Sequence, residues 1–479
     1  MERTARARTS SAGILALVWV LSGPFAARGS AQVTIGEPLN FDTGSANAEI
    51  LDIARGDRFV YVSSPGGACG GEGDSSGLSV VLHLGESRMP LKEVVTVDLG
   101  LGEVTSVAVH PSGLYSLLTV KDPDKPNVNP GKIVAVGGNR LLGSIPVGVG
   151  PDSIDISSDG SFAVICCEAE VPVIADCDAE TPEEDAAGSI EVIDLRRGPS
   201  QLAVAAVVTV EEMFTRELSA HPARAASAKA IEPEYAAISP DSSYALCSLQ
   251  DQSAIAVVDL VTTADLSADE NLTAEDVGAA ALVDIVLLPH GFIDRRGTIR
   301  GVHPDGLSIS AGGTYAVTAN EAHTDARHLH GITVLDLRGG PAAIAVGATY
   351  CIFDLDPTLL NGTGLAACPV AVPGGPFPAD ASKLPRVDPE DTAVFESGGT
   401  TVLAVALERA AKDQDRGSAL FLDAAGILDG APPVKIDRKL VGINPGARPE
   451  VVANTSDGRY VFTANENESG TITRIEVGS

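Results

Sequence analysis

The sequence predicts an all-β fold built from one repeated unit, and three observations support this prediction. A short apolar strand, a turn resembling Ser-Asp-Gly and an aromatic residue that opens a second apolar strand recur along the chain. A third strand that begins with a small residue follows, as at 131–136 and 188–193. β-Branched residues dominate these segments, and long helical patterns are nearly absent. Repeated units of this kind indicate a repeat architecture.

The turn motif occurs six times with its aromatic residue, and a seventh, degenerate copy has Thr401 in that place. Only 4% of the residues are aromatic, so composition alone does not explain this regular placement. Gly and Asp suit these turns because they adopt backbone angles that larger side chains resist. The aromatic positions are Phe59, Tyr115, Phe162, Tyr244, Tyr315 and Tyr460.

Seven copies of a three-stranded unit predict a seven-bladed β-propeller. A radial arrangement protects the sheet edges that an open stack of hairpins would expose. A pair of β-sandwiches is the competing interpretation, which seven matched copies disfavour. The last copy ends after its third strand, so we expect residues 37–43 to supply the outer strand of the last blade and close the ring. Residues 32–479 then form one domain, with long loops at 167–187, 211–232, 262–303 and 341–392.

Residues 1–31 have the pattern of an export signal. Arg3, Arg6 and Arg8 precede a short apolar stretch at 14–21, and small residues at 29–31 offer a cleavage site before Gln32. The apolar stretch is shorter than the ~20 residues of a membrane-spanning helix. We therefore expect a secreted, cell-surface or periplasmic protein that is not inserted in the membrane after the signal is removed.

The formal net charge of −31 excludes several kinds of partner. Such a surface repels phosphate backbones and anionic lipids, so nucleic acid and membrane surfaces are not expected partners. Cations or basic partners are the natural counterparts, although acidity also serves simply to keep an exported protein soluble. We expect a monomer.

Carboxylates recur at two fixed places of the repeat. One place follows a Pro at the start of the first strand, and the other follows the end of the second strand. Antiparallel pairing brings these two places together, and the first strand of a propeller blade lines the central channel. We therefore predict that one channel mouth gathers these acids, and a hard divalent cation such as Ca²⁺ is the candidate cofactor there. The predicted ligands are Asp152, Glu168, Glu234, Asp305, Glu321, Glu408, Glu450 and Glu466; Glu49 and Glu390 match the pattern less strictly.

Three interpretations of this acidic mouth remain open, because crowded like charges need compensation. A divalent cation is one. Basic side chains are a second, and Lys121, Arg409 and Arg448 are placed to pair with the acids or to bind an anion. In the third, each carboxylate caps backbone N–H groups of the neighbouring blade, a purely structural role.

Other candidate sites have weaker support. Residues 320–330 gather His323, Asp325, His328 and His330 beside Glu321, yet no standard metal-ligand spacing matches. No glycine-rich phosphate loop and no G-x-S-x-G motif occurs, so nucleotide binding and α/β-hydrolase chemistry are not supported.

Disulfide bonds are allowed in an exported chain. One candidate bridge joins Cys351 and Cys368, which flank a loop-like stretch. The other joins Cys167 and Cys177, because a short loop separates Cys177 from the Cys166-Cys167 pair. No CxxC pair occurs, which excludes zinc-finger and thioredoxin-like readings. Cys247, inside an apolar strand, is expected to be a small buried residue.

Several short sequence motifs resemble those of the choice-of-anchor I family. They are Glu-Pro-Glu-Tyr at 232–235 before the Ser-Pro-Asp turn, Val-Thr-Ala-Asn-Glu-Ala at 317–322, Thr-Ala-Asn-Glu at 463–466, and Val-Ala-Val-His at 107–110 followed by Pro-Gly-Lys at 130–132. The resemblance runs from about residue 45 to the C-terminus. Single blades are also similar to the broader YVTN and lactonase-like propellers. The chain departs from the family pattern with Cys-Cys-Glu at 166–168, where members tend to have Ala-Asn-Glu, and no C-terminal anchor is visible.

The resemblance implies an exported or surface-held seven-bladed propeller without a generally established catalytic activity. Some members are similar to mesenchyme-specific cell-surface glycoproteins, and some are fused to phosphoesterase modules. Fold alone does not establish activity.

Two functional hypotheses follow. The favoured one is a non-catalytic binding module, calcium-stabilised, that contacts extracellular protein or carbohydrate. The alternative is a metal-dependent hydrolase of phosphoesters or lactones, with metal on Glu234, Glu321, Glu408 and Glu466 and an anion held by Arg409 or Arg448. A cluster that breaks the symmetry of the ring would favour the hydrolase.

Overall fold

A computed structural model describes residues 33–42, 48–54, 59–64, 77–82, 94–98, 103–138, 140–169, 186–222, 225, 227–293, 299–321, 331–354, 363–367, 387–408, 417–431, 433–442, 447–466 and 470–478. The predicted export signal at 1–31 lies outside these residues. No helix in the part described is both long and apolar enough to cross a bilayer.

Strands dominate this part of the chain, and every pairing is antiparallel. The strands are, in chain order, β1 (Thr34–Ile35), β2 (Leu39–Asp42), β3 (Leu51–Ile53), β4 (Phe59–Ser64), β5 (Gly77–Leu82), β6 (Val94–Asp98), β7 (Val104–Val109), β8 (Ser116–Val120), β9 (Pro130–Gly137), β10 (Arg140–Val149), β11 (Pro151–Ile156), β12 (Phe162–Cys167), β13 (Ser189–Asp194), β14 (Ala203–Thr209), β15 (Pro233–Ile238), β16 (Tyr244–Leu249), β17 (Ala254–Asp259), β18 (Leu282–Leu287), β19 (His290–Ile293), β20 (Ile299–Gly301), β21 (His303–Ile309), β22 (Tyr315–Glu321), β23 (Gly331–Asp336), β24 (Ala345–Asp354), β25 (Thr363–Ala367), β26 (Pro389–Ser397), β27 (Thr400–Leu407), β28 (Ser418–Asp423), β29 (Val434–Leu440), β30 (Arg448–Asn454), β31 (Tyr460–Glu466) and β32 (Thr471–Gly478).

These strands form seven sheets of four or five strands within the described residues, together with a separate β19–β20 hairpin. Consecutive strands pair within the sheets β3–β6, β7–β10, β11–β14, β15–β18, β21–β25 and β26–β29. The last sheet contains β30, β31 and β32 and is completed by β1 and β2. We refer to the sheets as first to seventh in this order, starting from β3.

The sheets pack side by side in a closed ring. The first strand of each sheet contacts the first strand of the next, and β30 of the seventh sheet contacts β3 of the first. Separate apolar clusters fill the space between each pair of neighbouring sheets; the one between the seventh and first contains Leu51, Val62, Phe462 and Ile472. The predicted all-β propeller fold is therefore confirmed.

The N-terminal residues complete the seventh sheet. In β2, Leu39 pairs with Arg474 and Asp42 with Thr471, while in β1 Thr34 pairs with Gly478. Both segments lie on the outer edge of β32. The prediction placed residues 37–43 there, which agrees with β2, whereas β1 precedes the predicted segment. Side chains reinforce this edge, because the Thr473 hydroxyl donates to Asn40 Oδ1 at 2.7 Å.

The repeated turn is held by a small hydrogen-bonded unit. In the third sheet, Ser157 Oγ donates to Asp159 Oδ1 at 2.7 Å and accepts from the Phe162 amide at 3.0 Å. Gly160 takes a positive φ of 75°, which Gly adopts at little cost. The same bonds recur in the fourth and seventh sheets. Turn chemistry thus explains why the motif repeats.

The inserts between strands differ from the prediction of long loops. Three short α-helices occur in the described residues: α1 (Val210–Arg216), α2 (Leu260–Leu266) and α3 (Ala274–Ala281). Capping boxes start α1 and α3, at Thr209 with Glu212 and at Thr273 with Asp276. Helices this short show little apolar periodicity, which is why the sequence pattern did not predict them. Single 3₁₀ turns lie at Leu218–Ala220, Ala228–Ala230, Pro341–Ala343 and Ile427–Asp429.

Candidate cation site at the acidic channel mouth

A central channel runs between the first strands of all seven sheets. Residues of β3, β7, β11, β15, β21, β26 and β30 line a cavity of about 360 Å³ inside it. The expectation that the first strands line the channel agrees with this arrangement. The site is therefore built from residues that the repeat places at the start of these strands.

A β-bulge delivers the acids to the mouth. In the third sheet, Pro151 pairs with Cys167, but the register shifts before Ser153, so Asp152 falls outside the ladder. The same shift follows Pro233, Pro304, Pro389 and Pro449. Bulges re-aim side chains, and each of these bulges contains the acid that directly follows its Pro. Local backbone geometry thus explains the recurring Pro-acid pair.

Three carboxylates of the mouth form a tight cluster, which we call the acidic trio: Asp305, Glu321 and Glu390. One oxygen from each lies within 4.8 Å of the others. The Asp305 and Glu390 side chains share a hydrogen bond, and Gln250 Nε2 donates to Glu321 Oε2 at 3.2 Å. Such a set of oxygen atoms matches the donors that a hard cation prefers.

The electrostatics of the trio are unfavourable without a positive charge. Burial, with the charges of Glu321, Glu450 and Asp305, raises the pKa of Glu390 well above its usual range. Burial likewise raises the pKa of Asp305 to about 6, although its hydrogen bond to Glu390 opposes this. The trio must therefore take up protons or a cation to relieve the repulsion.

Two further predicted acids, Glu234 and Glu450, are buried among like charges from neighbouring sheets. The pKa of Glu234 is raised by burial and by the negative charges of Glu168, Asp152 and Asp305. Burial, Glu466 and Asp305 raise the pKa of Glu450, which also shares a hydrogen bond with Glu466. The structure thus brings the predicted acids of separate sheets together, but in an uneven pattern of clusters.

Basic side chains compensate two of these acids. Lys121 Nζ lies 2.8 Å from Glu168 Oε1, and Arg448 Nη1 lies 2.7 Å from Glu408 Oε1. Burial alone would lower the pKa of Lys121, but Glu168 and Asp152 raise it well above its usual value. The third basic candidate, Arg409, lies outside the described residues.

Three acids outside the predicted set accept hydrogen bonds from backbone N–H groups of the neighbouring sheet. Asp52 Oδ2 accepts from the Val109 amide at 2.7 Å, linking the first strands of the first and second sheets. Asp155 Oδ2 accepts from the Ile238 amide at 2.7 Å. Asp391 Oδ2 accepts from the Val452 amide at 3.0 Å.

The sequence patterns missed these three acids because each looks like one polar residue in an apolar strand. A sequence pattern could have indicated two of them, since Leu51-Asp52-Ile53 and Ile154-Asp155-Ile156 share an apolar-Asp-Ile motif in equivalent strands.

The other predicted sites are only partly described. His323, Asp325, His328 and His330 lie outside the described residues. Cys166, Cys167 and Cys247 are free and buried. Cys177, the predicted partner of Cys167, lies outside the described part, as do Cys368 and the side chain of Cys351.

Comparison with known proteins agrees with this architecture. A family model described as the choice-of-anchor I domain matches residues 50–268. The predicted resemblance to the choice-of-anchor I family is confirmed. The matched segment begins beside Glu49 and includes Asp152, Glu168 and Glu234 of the acidic mouth. No curated protein matches the chain.

Solved structures similar to this chain support the fold alone. Hydrazine synthase of Kuenenia stuttgartiensis is 14% identical with a TM-score of 0.52, over 90% of this chain and 96% of that chain. The β-propeller domain of Cps50 (Swd1) from Myceliophteria thermophila is 8% identical with a TM-score of 0.52, over 91% of this chain and 99% of that chain.

Proposed function

We propose that the protein is an exported or surface-associated β-propeller that binds Ca²⁺ at the acidic trio and acts as a non-catalytic binding module. The observation that carries this proposal is the approach of Asp305, Glu321 and Glu390 oxygens to within 4.8 Å of one another. The family description, choice-of-anchor, and the pattern of residues 1–31 support the surface location.

Calcium fits the trio better than other divalent ions. It takes six to eight oxygen ligands in flexible geometry, so three carboxylates with water suffice. Mg²⁺ requires a stricter octahedron, and zinc prefers nitrogen and sulfur ligands that the trio lacks. Bound calcium would also relieve the repulsion that raises the pKa of Glu390 and Asp305. Calcium therefore stabilises the mouth.

A partner of protein or carbohydrate is proposed for the insert-bearing surface. The net charge of −31 disfavours nucleic acid and anionic lipid. The inserts with α1, α2 and α3 enlarge the third and fourth sheets and break the regularity of the ring. Insertions of this length often carry binding function.

A metal-dependent hydrolase is the second candidate, and the asymmetry of the trio is the observation that favours it. Of the four metal ligands predicted for this function, only Glu321 belongs to the trio. Glu408 forms an ion pair with Arg448. The Arg448 guanidinium therefore neutralises a carboxylate of the protein, whereas the hydrolase hypothesis assigns it to a substrate anion. The binding module remains the better-supported proposal.

Calorimetric titration with CaCl₂ after EDTA treatment tests the calcium site. We expect one strong site in the parent chain, at least a tenfold weaker one in Glu390→Gln, and no change in the control Glu270→Gln, an exposed acid. Unchanged calcium affinity in Glu390→Gln would overturn the assignment. A phosphoesterase and lactonase screen with Ca²⁺, Mg²⁺, Mn²⁺ and Zn²⁺ separates the two functions, because turnover lost in Glu390→Gln supports the hydrolase.

A further inference from the structure

Two free thiols from neighbouring sheets lie close together in the interior of the ring. Cys166 is on β12 of the third sheet and Cys247 is on β16 of the fourth, and neither has exposed surface. Both belong to the apolar cluster that fills the gap between these two sheets. Their thiols also share a hydrogen bond across this gap.

The strand registers explain why the two cysteines meet. Cys166 pairs with Ser153 on β11, and Cys247 pairs with Ala236 on β15. The Ala236 amide donates to Ser153 Oγ at 3.0 Å, which joins the first strands of the two sheets. This bond therefore also brings to one level the two cysteines that pair with Ser153 and Ala236.

The neighbours of Cys247 within its own sheet are small. Ala236 and Ala256 pair with Cys247 from either side, and both lie in the same buried cluster as Cys166. A disulfide bond requires Cβ atoms about 4 Å apart, so no bulky side chain can stand between the two cysteines. Alanine on both sides of Cys247 meets this requirement.

Cys167 provides a contrast, although it directly follows Cys166 in the chain. Successive side chains of a strand point to opposite faces of the sheet. Cys167 accordingly belongs to the apolar cluster between the second and third sheets, where its thiol has hydrogen bonds with the Ser189 side chain and the Gly148 backbone. Of the two adjacent cysteines, Cys166 is thus the one that faces Cys247.

We propose that Cys166 and Cys247 form a disulfide bond that cross-links the third and fourth sheets when the chain folds in contact with a disulfide oxidant. One cysteine thiolate attacks the disulfide of the oxidant and releases half of it as a thiol. The second cysteine thiolate then displaces the other half and forms the S–S bond of the protein. Two protons and two electrons pass from the cysteines to the oxidant, which leaves as two thiols.

The exchange has to precede the packing of the two sheets. The thiolate is the reactive species, and burial together with the Cys247 thiol raises the pKa of Cys166 well above its usual range. Both thiols are also inaccessible once the gap is closed. The bond therefore forms during folding. In cells it rests on the export in the proposed function, because disulfide oxidants act in export compartments.

Refolding of the full mature chain tests the cysteine pair without relying on export. The chain is reduced in guanidinium, refolded in CaCl₂ with glutathione and glutathione disulfide, unfolded again with N-ethylmaleimide and digested with trypsin. The tryptic peptide 230–295 contains Cys247 alone, whereas the peptide 141–196 contains Cys166, Cys167 and Cys177. We expect these two peptides to be linked, with fragmentation between Cys166 and Cys167 assigning the bond to Cys166.

Variants provide the matched comparison. Cys166→Ala should abolish the linked peptides, and the control Cys167→Ala should retain them. The oxidised parent should unfold roughly 5 °C above the parent refolded in reductant, because the bond closes a loop of about 80 residues in the unfolded chain. Cys247→Ala should remove this difference in thermal midpoint.

Two results would overturn the cross-link. One is Cys247 that carries N-ethylmaleimide in the refolded parent, and the other is a pair of linked peptides that persists in Cys166→Ala. If Cys166→Ala does not fold, the fragmentation spectrum of the parent decides between Cys166 and Cys167. The same peptide map of the chain recovered after export tests the compartment: a free Cys247 there, beside a linked one after refolding, would contradict export and support the cysteine pair.

Discussion

Asp305 and Glu390, which belong to neighbouring sheets, share a hydrogen bond between their carboxyl groups. Two carboxyl groups make such a bond only when at least one carries a proton, so a proton and a cation compete for this pair. A cation that replaces the proton would keep the two sheets together. The first prediction follows from this exchange.

Glu390→Gln should change stability in opposite directions with and without calcium. In EDTA at pH 8 the variant should be more stable than the parent by about 1 kcal/mol, because one buried like charge is removed. In excess CaCl₂ the parent should be the more stable, because only it gains the full free energy of ion binding. Denaturant unfolding under both conditions measures this. The same ranking in EDTA and in calcium would contradict the prediction.

Lys121→Met should destabilise the protein by about 3 kcal/mol or more, because it leaves Glu168 as an uncompensated buried charge. Both partners are largely buried, with side-chain exposures of 13% and 9%. Arg338→Met is the matched control, since its pair with Asp336 is exposed and should contribute little. Urea unfolding of both variants provides the measurement, and an equal loss in the two would refute the argument. Adding Glu168→Gln to Lys121→Met should restore part of the stability.

Asp155→Asn should remove part of the pH dependence of stability. Burial raises the pKa of Asp155 to about 7, against an ordinary value of 3.8. The folded state therefore holds the proton more tightly than the unfolded state, so this group's contribution to stability falls as pH rises from about 4 to about 7 and then levels off. The free energy of unfolding of the variant minus that of the parent should therefore be larger at pH 8 than at pH 4, by up to about 4 kcal/mol.

Guanidinium unfolding of Asp155→Asn and the parent at pH 4, 6 and 8, in EDTA, measures this difference. The amide oxygen of Asn can still accept from the Ile238 amide, so the capping bond is retained. A stability difference that is independent of pH would show that Asp155 is ionised throughout.

Gly306→Ala should destabilise the protein by about 1–3 kcal/mol, because there is no room for a side chain between the fifth and sixth sheets. A Cβ at this position would lie 2.5 Å from both Asp391 Oδ1 and the Glu390 carbonyl oxygen. Gly312→Ala is the control, since a Cβ there meets nothing within 4 Å. Thermal unfolding of the two variants compares them, and equal midpoints would contradict the close approach.

Sequence patterns predicted the features that depend on local chemistry. The turn residues Ser157 and Asp159 and the Pro-acid pair at Pro304-Asp305 follow from short stretches of chain, and the strand at 39–42 follows from the strand missing in the last copy of the repeat. The propeller followed from their repetition. These features were predictable because each is determined within one sheet.

Contacts between sheets were not predictable in the same way. Glu390 fits the acid pattern only with one extra residue, yet the bulge after Pro389 brings it against Asp305 of the preceding sheet. From the sequence alone, Asp155 looks like a residue on the solvent-exposed face of a strand. Only the folded structure shows that its carboxylate accepts a hydrogen bond from the Ile238 amide of the next sheet. A linear pattern contains no information about which neighbour lies across an inter-sheet gap.

The pairing of β2 with β32 has a kinetic consequence. Thr473 and Asn40 are 433 positions apart in the chain, so the seventh sheet cannot be finished until nearly all of the polypeptide has been synthesised. Contacts of such high sequence separation slow folding, because a very long loop must close before they form. Residues 39–42 therefore stay unpaired while the other sheets form. We expect ring closure to be the last and slowest step of folding.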